Sequence, residues 1–358
     1  MKQFNFFTGL ISLSLFFLVS CDGGKGRSIM TPTATGSAYE VLVVADHEDF
    51  KNGAYDALYE VLTDDIFGLP QSEAFFKVSR TEVADFSRTL RYCRNIIIIK
   101  IDDRMFTQPK FKYSRDVYAS PQIVMTIQAP DVDQFKEYIE KNGSVILDFF
   151  DKVEINREIV LLKEKHHPVV AEKVKSMFGC EIYVPSDMRR MKTAKDFFWA
   201  TTDNGDKDMN FVIYSYPYTD ANTFTPEYFF EKRDSVMKRN IPGPREGQYM
   251  ITSRPFVRVT DEVVRKGYAQ IARGLWEMEN YDMGGPFVSV SRVDEKNQRV
   301  IVVEGFVYAP GDLKKVLMRR IEPALYTLKL PDEIDAEIFN YFIDEVTINP
   351  ESDSETTE

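Results

Sequence analysis

Three acids gather beside a tryptophan: Glu277, Glu279 and Asp282 follow Trp276 and flank Tyr281. Paired carboxylates next to aromatic rings can protonate a glycosidic oxygen and attack or activate water, which is the chemistry of a glycan hydrolase. Spacing along the chain does not set the distance between carboxyl groups. With 56 Asp and Glu in 358 residues, some acids must fall near aromatics. The structural reading is a helix end with exposed acids. Tyr214, Tyr216 and Tyr218 recur at period 2, so on a strand their rings share one face. Such a face can stack on a sugar or peptide, with Trp276 as a neighbour. It also fits ordinary sheet packing, because Tyr favours strands, and packing is the expected outcome.

Other candidates are weaker. Asp46-His47-Glu48-Asp49 follows a strand end, where a cation can be held. Adjacent side chains diverge, however, and acids favour the first turn of a helix. His166 and His167 lack the spaced partners of a zinc site. There is no G-x-S-x-G elbow and no Ser-x-x-Lys set, and Cys93 and Cys180 have no His partner in view, so a Ser or Cys hydrolase is not expected. The Gly-rich segments 242–247 and 284–286 match no phosphate loop. No catalytic residue, metal or cofactor is therefore assigned. The expected function is a non-enzymatic binding or structural module, with an envelope glycan hydrolase using the acids near Trp276 as the alternative. A net charge of −11, from 45 basic and 56 acidic residues, argues against nucleic acid as a partner.

Cysteine 21 carries the clearest chemistry. Lys2 precedes an apolar run from Phe4 to Val19 with no acid before Asp22. That is the pattern of a secretory signal, too short to span a membrane. The run ends in Leu18-Val19-Ser20-Cys21, which resembles the bacterial lipobox. Cleavage before Cys21 and acylation of its thiol are expected. Two or more acyl chains make a stable membrane anchor. Residues 22–37 are rich in Gly, Ser, Thr and Pro and read as a flexible tether. The remaining Cys93 and Cys180 read as separately buried thiols.

The elements that must position any site emerge from periodicity. Buried strands are expected at 39–45, 95–101 and 122–128, and a shorter one at 75–78. Helices are expected at 49–67, 81–92, 130–150, 156–165 and 169–178. The next part is richer in strands, at 180–184, 197–201, 211–216, 248–252 and 256–259. Segments 287–293 and 299–307 flank a polar turn and predict a hairpin. Helices are expected at 226–238, 263–278, 310–328 and 333–345. The fold class is α+β or mixed α/β, with two sheet-and-helix units. The boundaries are a signal at 1–20, tether at 21–37, units at 38–165 and 166–349, and an acidic tail at 350–358. The joins at Ala129-Pro130 and Ala309-Pro310 raise an internal duplication as one possibility, although Pro commonly starts helices.

The motifs GLPQ (68–71), RNIII (94–98), YSYPYTD (214–220), IPGP (241–244), GLWEMENYDMGGPFVS (274–289) and VDEKNQRVIVVEGFVYAP (293–310) carry a further signal. Through them the chain resembles, from about Thr35 to Lys329, a domain-of-unknown-function lipoprotein family of Bacteroidota. The resemblance implies an envelope lipoprotein and no chemistry. Surface-exported lipoproteins of that group carry an acidic cluster after the lipidated Cys. Asp22 with Lys25 and Arg27 does not match it. The implied address is the periplasmic side of the outer membrane, with an envelope protein or glycan as partner.

Overall fold

A computed structural model describes residues 31–334. Cys21, the expected helix beyond residue 334 and the acidic tail lie outside the described residues. At the near end, Thr33 bridges Ser120 and Thr35 bridges Cys93, so the last residues assigned to the tether run along the first unit.

The first unit is built on β1 (Glu40–Ala45), α1 (Ala54–Leu62), β2 (Lys77–Glu82), β3 (Asn95–Ile101), β4 (Lys110–Arg115), β5 (Ile123–Ala129) and the long α2 (Val132–Glu164). The sheet order is β2-β1-β3-β5-β4, parallel except for the antiparallel edge strand β4. The NIIIIKI run of β3 is apolar on both faces because both are covered. Ile97 and Ile99 pack under α1 and α2, while Ile96 joins Leu42 and Val44 on the opposite face. Asp131 caps α2 by accepting from the Gln134 N–H at 2.9 Å. Residues 130–150 and 156–165, expected as two helices, form this single helix. Its first part, from Phe135 to Val153, belongs to the core of the first unit. Ile155, Ile159 and Leu162 belong to that of the second.

The second unit comprises α3 (Pro168–Phe178), β6 (Arg190–Ala194), β7 (Phe197–Thr201), β8 (Asp208–Pro217), α4 (Pro226–Asn240), β9 (Met250–Thr252), β10 (Arg258–Val264), β11 (Gly267–Met278), β12 (Tyr281–Asp294), β13 (Arg299–Tyr308) and α5 (Lys315–Leu325). Its strands form one antiparallel sheet, β10-β11-β12-β13-β8-β7-β6, with β9 added against β11. The sheet is covered on one face by α2, α3 and α5 and on the other by α4.

Four expectations need correction. Residues 81–92, expected as a helix, continue β2 to Glu82 and then form two short 3-10 turns, since pairing with β1 outweighs the local spacing of Val83, Phe86 and Leu90. Residues 263–278, also expected as a helix, are strand β11 with the end of β10. Pairing of β11 with β10 on one side and β12 on the other outweighs the helical spacing of its apolar residues, and burial alternates from Ile271 to Met278. Residues 180–184 form a single isolated bridge, Glu181 with Lys329, rather than a strand. The helix expected from Pro310 begins at Lys315. The duplication also fails, because a mostly parallel order in one unit and an antiparallel meander in the other cannot superpose.

Candidate functional site

Loop 66–75 of the first unit is clamped between β11 and the start of α5. Gly68 has φ +87°, and a Cβ there would lie 3.2 Å from the Gly274 backbone, so two glycines let the chains touch. Lys314 offers α5 no side-chain cap. The cap comes from the other unit: buried Glu73 accepts the N–H groups of Lys314 (2.7 Å) and Lys315 (3.1 Å). A carboxylate suits these orphan donors and the positive end of the helix dipole. Lys314 Nζ donates to Gln71 Oε1, Lys315 Nζ to the Ala74 carbonyl and Arg319 Nη2 to the Phe75 carbonyl. This one face of α5 therefore fastens the two units together.

Beneath the clamp lies a cavity of about 370 Å³ bounded by loop 66–75, the middle of α2, β10 to β12 and α5. Its polar wall is Tyr39, Asp151, Arg273, Arg319, Glu322 and Tyr326. Arg273 grips Glu322 with both terminal nitrogens, and the Tyr326 hydroxyl donates to the same carboxylate at 3.0 Å. Burial acts against the Arg273 charge, but the Glu322 carboxylate outweighs it and keeps the guanidinium charged. Arg319 lies with Cζ 3.3 Å from the Tyr39 ring centroid. Asp151, on α2, makes no ion pair among the described residues. Burial, helped by the Glu322 charge, raises its carboxyl from the ordinary 3.8 to about 7, against the pull of Arg273 and Arg319. A carboxyl of this kind takes up or releases a proton near neutrality.

The tyrosines nominated from the sequence lie elsewhere. Tyr214 and Tyr216 do share a face, but that face packs under α4 with Phe229, Val236 and Met237. Tyr214 is 1% exposed and stacks on Tyr216 at 6.3 Å. Tyr218 lies beyond the strand end, half-buried against Phe224. Burial removes the open ligand face and leaves packing, because the helix that follows β8 folds back over it. Trp276 is also buried, with its indole N–H donating to the Val307 carbonyl at 3.2 Å. Glu277, Glu279 and Asp282 are not at a helix end. They sit at the β11–β12 turn, where Glu277 and Asp282 line a second, broad groove of about 950 Å³ with exposed Tyr281.

His47 bonds Glu82 at 2.7 Å on the surface, and His167 caps α3 through the Val170 N–H. Cys93 and Cys180 are separate free thiols, and burial pushes Cys180 up to about 12. Among the described residues no group of three or more His, Cys, Asp or Glu is placed to hold a metal ion, and no helix is long and apolar enough to cross a membrane. Sequence reasoning missed Asp151, Arg273, Arg319 and Glu322. Each is one charge among many on its own element.

No curated protein matches the chain. Among solved structures, the Ran-binding protein Mog1p of Saccharomyces cerevisiae is similar over 42% of this chain and 90% of its own, at 6% identity and TM-score 0.27. The lipid transfer and protein localization domain of human StarD13 (DLC2) is similar over 44% and 90%, at 8% identity and TM-score 0.19. A Bacteroides thetaiotaomicron protein is similar over 42% and 44%, at 12% identity and TM-score 0.18. Residues 34–163 match the family model DUF8532 and residues 167–327 match DUF4837, both domains of unknown function, so the chain is a tandem of two such domains that meet at the cavity.

Proposed function

We propose that this chain is a lipid-anchored envelope protein that works by binding, held by acylated Cys21 on the periplasmic side of the outer membrane. Its ligand site is the cavity between the two domains. The observation that carries the binding reading is the cavity itself: it is lined by apolar and charged side chains from both domains, and its Asp151 lacks an ion-pair partner among the described residues. The signal and the Leu-Val-Ser-Cys motif carry the anchor.

Two experiments test this. Cys21→Ser is expected to move the folded protein out of the membrane fraction, and retention of an unacylated Cys21→Ser chain refutes the anchor. Ligand-detected NMR against a small-molecule library, with Ile271→Trp filling the cavity, tests the site. Hits that persist in the filled variant refute it.

A second reading, contact with a glycan, is favoured by the groove at the β11–β12 turn. There exposed Tyr281 stands beside Glu277 and Asp282. Unchanged glycan-array binding by Tyr281→Ala removes it. Hydrolysis by those acids has less support, since Trp276, although it lines the groove, is only 2% exposed.

A further inference from the structure

The class of ligand can be narrowed from the cavity walls, on condition that the cavity is the ligand site as proposed above. Five basic residues line it, Arg258, Arg273, Lys152, Lys315 and Arg319, against four acids, Asp148, Asp151, Glu262 and Glu322. This is a positive excess in a chain of net charge −11, so composition does not produce it.

Arg273 is taken up by Glu322. Arg319 is not taken up. Of its five N–H donors, only one on Nη2 has an acceptor among the described residues, the Phe75 carbonyl. Stacking on Tyr39 fixes the plane of the guanidinium. A pre-oriented guanidinium with donors to spare is a binding site for a carboxylate, whose oxygens accept. Lys152 makes no hydrogen bond or close ion pair among the described residues. The rest of the lining includes Ile155, Ile271, Val288 and Met318, which suits an apolar body.

We propose that the cavity binds a small amphipathic monocarboxylate, its acid group on Arg319 and Lys152 and its apolar body against Ile155, Ile271 and Met318. Asp151 then acts as a proton partner. Ionised, it repels the ligand; protonated, it donates to it. The groups facing Asp151 are Tyr39 from the residue before β1, Arg273 from β11, and Arg319, Glu322 and Tyr326 from the α5 side. Asp148 and Lys152 stand on its own helix, and Arg258, Glu262 and Lys315 also line the cavity. With Asp151 titrating near 7, the competent form falls from about nine-tenths at pH 6 to about one-tenth at pH 8, so binding weakens about tenfold.

The test is calorimetric titration of the full chain with hexanoate, hexan-1-ol and hexylamine at pH 6 and pH 8. Hexanoate is expected to bind at least about tenfold tighter than the other two at pH 6 and to lose about tenfold by pH 8. Asp151→Asn is expected to abolish that pH step. Arg319→Leu and Lys152→Gln are expected to weaken hexanoate and not hexan-1-ol. Should Arg319→Leu not fold, Lys152→Gln and the three-probe comparison on the unaltered chain still decide. Hexan-1-ol or hexylamine binding as well as hexanoate overturns the anion assignment while leaving the cavity as the site. Failure of all three probes to bind overturns the cavity reading itself.

Discussion

The sharpest stability test lies in the second domain, where Arg233 of α4 and Glu304 of β13 meet in the core, each with its side chain 0% exposed. Arg233 Nε and Nη2 donate to the two carboxylate oxygens at 2.9 and 2.7 Å, Nη1 donates to Thr252 Oγ1 at 2.9 Å, and Cζ lies 4.1 Å from the Phe287 ring centroid. Burial raises the Glu304 carboxyl despite Arg233, whereas burial acts against the Arg233 charge and Glu304 holds the guanidinium up. The geometry decides for the ionised pair, because a two-point contact from a guanidinium to both oxygens is far stronger with a carboxylate than with a neutral carboxyl, whose hydroxyl oxygen is a poor acceptor. Arg233→Met strands a carboxylate in this core, and removing one partner of a buried pair costs about 3–5 kcal/mol. That corresponds to a fall in melting temperature of roughly 10 °C for a domain of this size. Arg233→Met with Glu304→Leu removes both charges and is expected to recover most of the loss.

The single variant also has a signed pH dependence. Without Arg233, the folded carboxyl is raised further above its unfolded value. The folded state then holds the extra proton more tightly, so stability is kept at low pH and lost as pH rises. The loss at pH 8 therefore exceeds that at pH 5. Urea denaturation followed by tryptophan fluorescence reads it, since Trp276 packs in the same core, 5.6 Å from Phe306. A loss below about 1 kcal/mol for Arg233→Met, or a double variant no better than the single, would refute the argument.

Asp151→Asn is expected to stabilise the protein at pH 8. Ionising a carboxyl raised from 3.8 to about 7 costs up to ~4 kcal/mol, so the native contribution is present below pH 4 and lost as pH rises through 7. A melting curve at pH 8 no higher than that of the unaltered protein refutes this. Glu73→Ala removes the cap of α5 and two inter-domain hydrogen bonds, and about 1–3 kcal/mol of stability should go with them in chemical denaturation. Gly274→Ala places a Cβ 2.2 Å from the Phe256 carbonyl oxygen, and overpacking there should cost about 1–3 kcal/mol. A neutral result in the same denaturation assay counts against the close approach.

Much of the fold was legible because local pattern and burial agree. The apolar run 95–101 is the central strand β3, the segments flanking residues 294–298 form the β12–β13 hairpin, and the helix expected from Pro130 is α2, which starts at Val132. The readings that failed did so where tertiary pairing overrode local period. β11 is held as a strand by pairing with β10 and β12 although its apolar residues also fit a helical spacing, while β2 is charged, lies at an edge and gains its strand form only by pairing with β1. The period-2 logic for Tyr214 and Tyr216 was right about their shared face. It carried no information on what covers that face, which is α4.

What the sequence by itself determined is whatever depends on residues adjacent in the chain. Those are the mixed α+β class and the strands and helices whose local pattern and burial agree. The cavity belongs to tertiary structure alone. Tyr39 beside β1, Asp151 on α2, Arg273 on β11 and Arg319 on α5 stand far apart in sequence, and none is distinguishable there from any other exposed tyrosine or charge. Their chemistry arises when burial removes water from Asp151 and stacks Arg319 on Tyr39, and a local pattern has no record of distances across two domains.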